Sequence, residues 1–201
     1  MNKTIKLAAL ASGMFAALVL AGCAAPTQQA QAPAAPAAAA APAAPAAVAA
    51  AREFYVVLPE DGRYYAFADT KNYFGFLAHA EVPLTRTRIG AGPGGKTVVF
   101  GISGDDVKNN RPSMAEQVFD GKLQADANFY GEVFKNGRFY VFGNMKDMMD
   151  FAQFGEVPYS FTDIGAGPKG ETLVWVMNKD SYAKGRPVTT IAQFQKVRTV
   201  Q

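Results

Sequence analysis

The sequence predicts an α+β protein built from two tandem ββαββα repeats, at an offset of 75, that form one compact domain with a pseudo-twofold relation. Two observations predict this class. The second half of the chain repeats the first at a constant offset, and within each copy segments of period two alternate with segments of helical period. So long a period exceeds that of solenoid repeats, and each copy is expected to be half of a globular domain.

The repeat is visible as a gapless alignment that assigns residues 52–125 to unit 1 and residues 126–201 to unit 2. Its clearest matches are Phe54-Tyr55 with Phe129-Tyr130, Gly62-Arg63 with Gly137-Arg138, Glu81-Val82-Pro83 with Glu156-Val157-Pro158, and Ile89-Gly90-Ala91-Gly92-Pro93 with Ile164-Gly165-Ala166-Gly167-Pro168.

Each unit is predicted to begin with a β-hairpin and a helix. Residues 54–58 and 63–68 read as strands, and the tight turn of the second copy is Asn136-Gly137, a strong hairpin signal. Asp69 and Asn144 then stand where helix N-caps are expected, because apolar residues at helical spacing follow each of them.

The rest of each unit is predicted to be two strands and a closing helix. Strands are expected at 84–89 and 97–102, and again at 159–164 and 172–177. Ser113-x-x-Glu116 has the pattern of a capping box that opens the first closing helix. Thr189 or Thr190 is expected to open the second.

The front of the chain predicts an export signal. Lys3 and Lys6 precede a run of small and apolar residues at 7–20, which is short for a membrane span of roughly 20 residues. The run ends in Leu20-Ala21-Gly22-Cys23, which resembles the lipobox of bacterial lipoproteins. The resemblance implies removal of residues 1–22 and attachment of acyl chains, palmitate among them, to Cys23. Several chains at ~0.8 kcal/mol per buried methylene give stable anchoring.

Residues 23–51 are predicted to be the lipidated cysteine and an Ala/Pro-rich tether. Five prolines and the absence of charged and aromatic residues from 24–51 argue against a packed fold there. Ala24 follows the cysteine, and in the enterobacterial sorting pattern an Asp at that position favours the inner membrane. The sequence therefore predicts a cell-envelope location, in the outer membrane rather than the inner membrane, on its periplasmic side or at the surface.

Charge and motifs argue against nucleic-acid binding and against nucleotide binding. Residues 52–201 carry 18 basic and 17 acidic side chains, so the basic footprint of a nucleic-acid binder is missing. Residues 90–97 match the P-loop pattern, but a β-branched segment follows them where a nucleotide site needs a helix. We therefore predict a glycine-rich hairpin loop and expect neither nucleic acid nor nucleotide as a partner.

The sequence offers no catalytic constellation, no cofactor site and no metal site. His79 is the only histidine and Cys23 the only cysteine, so the usual transition-metal ligands are scarce. We expect His79 to be a half-buried structural side chain. The acidic pairs Glu60-Asp61 and Asp105-Asp106 read as solvated loops.

A recognition surface is predicted at the hairpin tips, where Arg63 and Arg138 stand beside Tyr64 and Phe139. If each strand has one buried face, Tyr64 is exposed, and so are Tyr55 and Tyr130. Exposed aromatic and arginine side chains are typical of protein or glycan contacts. The alternative is that the charged residues present in both units serve only as ion pairs and loop contacts.

Together these patterns predict a membrane-anchored envelope lipoprotein whose non-catalytic, duplicated domain binds an envelope protein or a cell-wall component. Its other partner is membrane lipid, through the acyl chains on Cys23. Two alternatives stay open: a hydrolase or transferase that acts on envelope polymers through unassigned carboxylates, and a carrier of a small apolar ligand between the two units.

Overall fold

The computed structural model describes residues 50–199. The signal segment, Cys23 and nearly all of the predicted tether lie outside these residues. The described part is mixed α and β, compatible with the predicted α+β class. It holds one eight-stranded sheet, with strands β1 (Ala50–Leu58), β2 (Tyr64–Phe67), β3 (Thr85–Arg88), β4 (Val98–Gly101), β5 (Gln124–Lys135), β6 (Arg138–Phe142), β7 (Tyr159–Asp163) and β8 (Thr172–Met177).

Six helices accompany the sheet in these residues: α1 (Thr70–His79), α2 (Gly104–Lys108), α3 (Met114–Phe119), α4 (Met145–Phe154), α5 (Lys179–Tyr182) and α6 (Val188–Thr199). The short helices α2 and α5 are additional to the predicted ββαββα order. A capping box at Ser103 and Asp106 opens α2, so Asp106 belongs to a helix and is buried, not part of a solvated loop.

The predicted helix starts are largely confirmed. Asp69 and Asn144 accept hydrogen bonds from backbone amides three residues later, and Ser113 and Glu116 form the expected capping box. The start of α6 is different. That helix begins at Val188 after Pro187, and Thr190 is buried within its first turn, so neither threonine acts as the predicted opening residue.

The strand order is β3-β4-β2-β1-β5-β6-β8-β7, with β1 and β5 parallel at the centre. β2, β4, β6 and β8 run opposite to these two, while β3 and β7 run with them at the two edges. Consequently the connections 59–63, 89–97, 136–137 and 164–171 all lie at the same end of the sheet. We call these four connections, with the flanking Lys135 and Arg138, the loop end.

The glycine-rich segment 89–97 joins the antiparallel strands β3 and β4, so it is a hairpin connection with a short 3-10 turn at Pro93–Gly95. The strand β4, not a helix, follows it. Residues 164–171 join β7 and β8 in the same way. These two connections have the hairpin form that the sequence predicts.

Helices cover both faces of the sheet and create two cores. α1 and α6 pack on one face through residues such as Tyr73, Phe76 and Phe194. α3 and α4 pack on the other through residues such as Val118 and Phe151. Alternate residues of the central strands therefore enter opposite cores, and both faces of these strands are apolar.

Two details differ from the sequence alignment. Ala50 and Ala51, assigned above to the tether, are the first residues of β1, and Ala51 is fully buried. In the first hairpin Tyr55 pairs with Phe67, whereas in the second Gly131, not Tyr130, pairs with Phe142. The second hairpin is thus one residue shorter, and the gapless alignment does not describe the pairing of the first strand of each unit.

Candidate functional site

The predicted aromatic and arginine surface is divided by the fold. Arg63 and Arg138 are exposed at the loop end, but Tyr64 and Phe139 are 1% and 3% exposed and belong to opposite cores. Tyr64 and Phe139 are therefore not available at the surface of this structure. The basic half of the predicted surface is open to solvent, and its aromatic half is part of the core.

The expected exposure of Tyr55 and Tyr130 is likewise wrong, because both side chains are buried beneath α1 and α6. The reason is general to this fold. The expectation assumed one solvated face per strand, whereas helices from different parts of the chain cover both faces of the central strands.

Four of the charged side chains that recur in both units make local ion pairs, namely Arg63, Arg111, Lys146 and Arg186. Arg111 bonds Asp106 and Arg186 bonds Asp163, at 3.1 and 2.5 Å between nitrogen and oxygen. Asp106 and Asp163 do not align with each other in the repeat, so these arginines are held by acids at different positions of the two units. Arg111 and Arg186 therefore each have a local ion pair, but their acidic partners are not equivalent in the two units.

A large open groove lies at the end of the sheet opposite the loop end, where the parallel strands β2 and β4 both finish. Its volume is about 1160 Å³. α1 forms one wall, α2 and the start of α3 form another, and residues 81–84 close its outer side. This volume lies above the usual ~300–1,000 Å³ of small-molecule pockets and leaves room for a segment of a larger ligand.

Two carboxylates in the groove wall are already engaged in helix capping. Asp69 accepts from the backbone and side-chain nitrogens of Asn72 at 2.8 and 2.9 Å. Asp106 accepts from the backbone nitrogen and hydroxyl of Ser103 at 3.0 and 2.6 Å, and from Arg111 Nε at 3.1 Å. These two side chains therefore hold the starts of α1 and α2.

The pKa of Asp106 follows from these contacts. Desolvation by burial raises the pKa of this carboxyl, but the hydrogen bonds from Ser103 and from Arg111 lower it more, so the pKa lies below its ordinary value. Asp106 is consequently ionised at neutral pH and holds no proton to donate. Its geometry is that of a structural anion.

The open part of the groove combines apolar surface with exposed polar groups. Leu84 and Met114 are 39% and 42% exposed and contribute apolar contact area. Lys71, His79 and Glu81 are exposed along the wall. His79 is thus a solvent-facing residue at the end of α1, not the half-buried structural side chain that the sequence predicts.

A buried ion cluster supports the wall that α3 provides. Glu116 is almost fully buried and accepts from Arg86 at 2.6 Å and from Arg88 at 2.9 Å, both on β3. Desolvation raises the pKa of Glu116, but hydrogen bonds from Ser113 and Arg88, with the charge of Arg86, bring it below its ordinary value. These contacts attach α3 to the edge strand and fix the position of the groove wall.

In the second half, a hydrogen bond joins the two helices whose counterparts in the first half stand apart on either side of the groove. Asn178 donates from its side chain to Asp147 at 2.9 Å, joining the start of α5 to α4. The residues at the same positions of unit 1, Ser103 and Asn72, both line the groove, and each bonds within its own segment. The open groove is therefore a feature of the first half.

Few residues of the groove have a recognisable signal in the sequence. Lys71 and Arg111 recur as Lys146 and Arg186, and Ser103-x-x-Asp106 has the pattern of a capping box that opens α2. The apolar contributors Leu84 and Met114 have no local signature. Their exposure depends on how α1, β3 and α3 come together.

Within residues 50–199, no group of three or more His, Cys, Asp or Glu side chains is placed to hold a metal ion. In the same part of the chain, no helix combines the length and apolar character needed to cross a membrane. Comparison with known proteins finds no matching protein family, no matching curated protein and no matching solved structure.

Proposed function

We propose that the chain is a lipid-anchored envelope protein, held through acyl chains on Cys23, whose tandemly duplicated domain binds an extended segment of a protein or of the cell wall. The anchoring proposal is based on the lipobox-like Leu20-Ala21-Gly22-Cys23 and on the charged and apolar parts that precede it. The outer membrane is the proposed location because Ala24, not Asp, follows the cysteine.

The duplication proposal is supported by an exchange of faces between the two units. Tyr64 belongs to one core and Phe139, its match in the alignment, to the other. Tyr73 and its match Met148 also belong to different cores. So do Phe54 and Tyr130, which correspond at an offset of 76 residues because the second hairpin is one residue shorter. A twofold axis that runs along the strands, between β1 and β5, produces this exchange and leaves β1 and β5 parallel.

The observation that carries the binding proposal is the groove of unit 1. Its volume of about 1160 Å³, its exposed apolar side chains and its exposed Lys71 suit a ligand that is long and partly polar. Asp69 and Asp106, the acids nearest the helix starts, are occupied by capping contacts. A ligand can therefore bind while these capping contacts stay in place. Acid–base chemistry through Asp106 would require the carboxylate to give up its bonds to Ser103 and Arg111.

Site-specific photo-crosslinking in intact cells tests the proposal. A photoreactive residue at Gln117, in the groove wall, is expected to capture a partner, and the same residue at Ala192, the aligned position on α6, is the matched control. Mass spectrometry of the adduct then distinguishes a protein from a cell-wall peptide.

A second substitution shows whether capture depends on the groove. Gly75 lines the groove and a Cβ placed there meets no heavy atom within 4 Å, so Gly75→Trp is chosen to fill groove volume with its indole ring. We expect it to reduce the Gln117 adduct several-fold, while Asp150→Trp on α4 leaves the adduct unchanged. Capture at Gln117 that is insensitive to Gly75→Trp would show that the groove is not the binding site.

A further inference from the structure

Two isoleucines at the loop end have no role in packing. Ile89 and Ile164 are each 88% exposed, the largest exposed fractions among the big apolar side chains of residues 50–199. Each begins an identical Ile-Gly-Ala-Gly-Pro segment, and each precedes a glycine with positive φ, +70° at Gly90 and +71° at Gly165. The conformation of both loops therefore projects an apolar side chain into solvent at matched positions.

The fold places both isoleucines at the same end of the sheet. Ile89 follows β3 and Ile164 follows β7, and these strands are the two edges, both running in the direction of β1. Seven strand intervals of ~4.8 Å separate the edges, which puts the two isoleucines roughly 34 Å apart along the loop end. Two apolar tips so far apart suit a broad, flat partner better than a narrow pocket.

The groups between the tips are mostly cationic. The loop end carries five basic and three acidic side chains, a net charge of +2. Two of the acids are held locally: Asp61 accepts from the backbone nitrogen of Arg63 at 2.9 Å, and Glu171 accepts from that of Lys169 at 2.7 Å. The exposed cations are Arg63, Lys96, Arg138 and Lys169.

We propose that the loop end contacts the surface of an anionic lipid bilayer, with Ile89 and Ile164 inserted at the headgroup level and the cations against the phosphates. Apolar tips with lysine and arginine beside them are the features that bind interfaces of this kind. The proposal rests on the proposed anchoring through Cys23, since the bilayer is the one that holds those acyl chains.

The length of the intervening chain permits this arrangement. Twenty-six residues separate Cys23 from Ala50, the first residue of β1. An extended chain of that length spans at most roughly 90 Å, against roughly 30 Å for the nine residues of β1. The loop end therefore reaches the membrane although β1 starts at the opposite end of the sheet. The groove then faces away from the bilayer.

The test uses single-cysteine labelling of the full lipidated chain. Cys23 is the only cysteine, and in the proposed anchor its sulfur forms a thioether with the diacylglyceryl group, so Ile89→Cys or Ile164→Cys supplies the one free thiol for an environment-sensitive fluorophore. Lys108→Cys, on the exposed side of α2 at the groove end, is the matched control. The proteins are reconstituted into vesicles of phosphatidylethanolamine and phosphatidylglycerol.

Labels at 89 and 164 are expected to shift their emission to the blue and to be quenched several-fold more by nitroxide-bearing lipid than the label at 108. Iodide in the buffer is expected to quench the label at 108 instead. Equal iodide quenching at all three positions would overturn the proposal. The proposal would also be overturned if the labels at 89 and 164 were protected from iodide in native envelopes but were not quenched by nitroxide-bearing lipid in vesicles. That result would indicate a protein partner.

Failure of the anchoring proposal gives a different result. Wild-type chain that accepts the fluorophore at Cys23 and does not float with the vesicles is not lipidated, whatever the labels at 89 and 164 report. Because both isoleucines are exposed and make no core contacts, their substitution leaves the fold intact. The near-ultraviolet circular dichroism of the buried Trp175 verifies this for each variant.

Discussion

Arg198 on α6 and Glu132 on β5 form a two-point ion pair in the core between the sheet and helices α1 and α6. The two terminal nitrogens of Arg198 lie 2.7 and 2.8 Å from the two carboxylate oxygens of Glu132. Glu132 is fully buried and also accepts from the hydroxyls of Tyr73 and Tyr130. The guanidinium lies over the Phe194 ring, 3.4 Å from its centroid. This pair holds the C-terminal helix to the central strand.

Removal of one member of the pair is expected to be more harmful than removal of both. Arg198→Leu leaves a buried carboxylate without its cation, and we expect it to lower the free energy of unfolding by about 3–5 kcal/mol. The double variant with Glu132→Leu is expected to recover part of that loss. Urea unfolding followed by Trp175 fluorescence measures both. A loss below about 1 kcal/mol in Arg198→Leu would show that the pair contributes little.

The hydroxyl of Tyr64 is buried and has no hydrogen-bond partner within residues 50–199. An unsatisfied buried polar group costs roughly 1–3 kcal/mol, so Tyr64→Phe is expected to leave stability unchanged or to raise it by about 1 kcal/mol. Phenylalanine already occupies the aligned position of the second half, at Phe139. Tyr73→Phe, which removes a 2.8 Å bond to Glu132, is the control and is expected to destabilise. Equal losses in both variants would contradict this account.

The Glu116 cluster predicts a pH dependence. Because the folded state lowers the pKa of Glu116 below its ordinary value of 4.5, its stabilising contribution is complete above that pH and is lost as the pH falls through the lower folded value. The stability difference between wild type and Glu116→Gln is therefore expected to be largest near neutral pH and to shrink under acid conditions. Urea unfolding at a series of pH values measures it. A difference that stays constant throughout the acid range would refute the assignment.

Cys23→Ala is expected to abolish lipidation and to release the domain from membrane fractions, because the chain has no other cysteine. Metabolic labelling with a fatty-acid probe, followed by fractionation, provides the measurement. Label that persists on the variant would contradict the lipoprotein proposal. Conversion of Ala24→Asp is the companion experiment for sorting, and it is expected to shift the protein toward the inner membrane.

Local sequence signals were sufficient for the elements whose cause is local. The caps at Asp69 and Asn144 and the box at Ser113 depend on residues three positions apart, and the structure has all of them. The predicted start of the closing helix in the second half is wrong because Pro187 and the burial of Thr190 override the preference of threonine for a cap. α2 and α5 are one-turn helices whose signals are short.

The candidate site could not be predicted from local sequence patterns, because it is formed by elements that are distant in the sequence. Tyr64 and Phe139 are buried because helices distant in sequence cover both faces of the sheet. The groove arises from the relative positions of α1, β3 and α3, and its apolar residues Leu84 and Met114 resemble ordinary surface or core residues in the sequence. The sequence predicts Ile89 and Ile164 as the last residues of strands, whereas the structure ends these strands at Arg88 and Asp163.

The parallel pairing of β1 with β5 has a consequence for biogenesis. Tyr55 pairs with Glu132, which lies in the second half of the chain, so β1 keeps one unpaired edge until that half has begun to emerge. A chain that emerges from its N-terminus first therefore exposes a long, apolar strand edge for the time needed to produce the intervening residues. Such an edge is a template for pairing with other chains, which makes a holding chaperone an expected requirement until the second half is available.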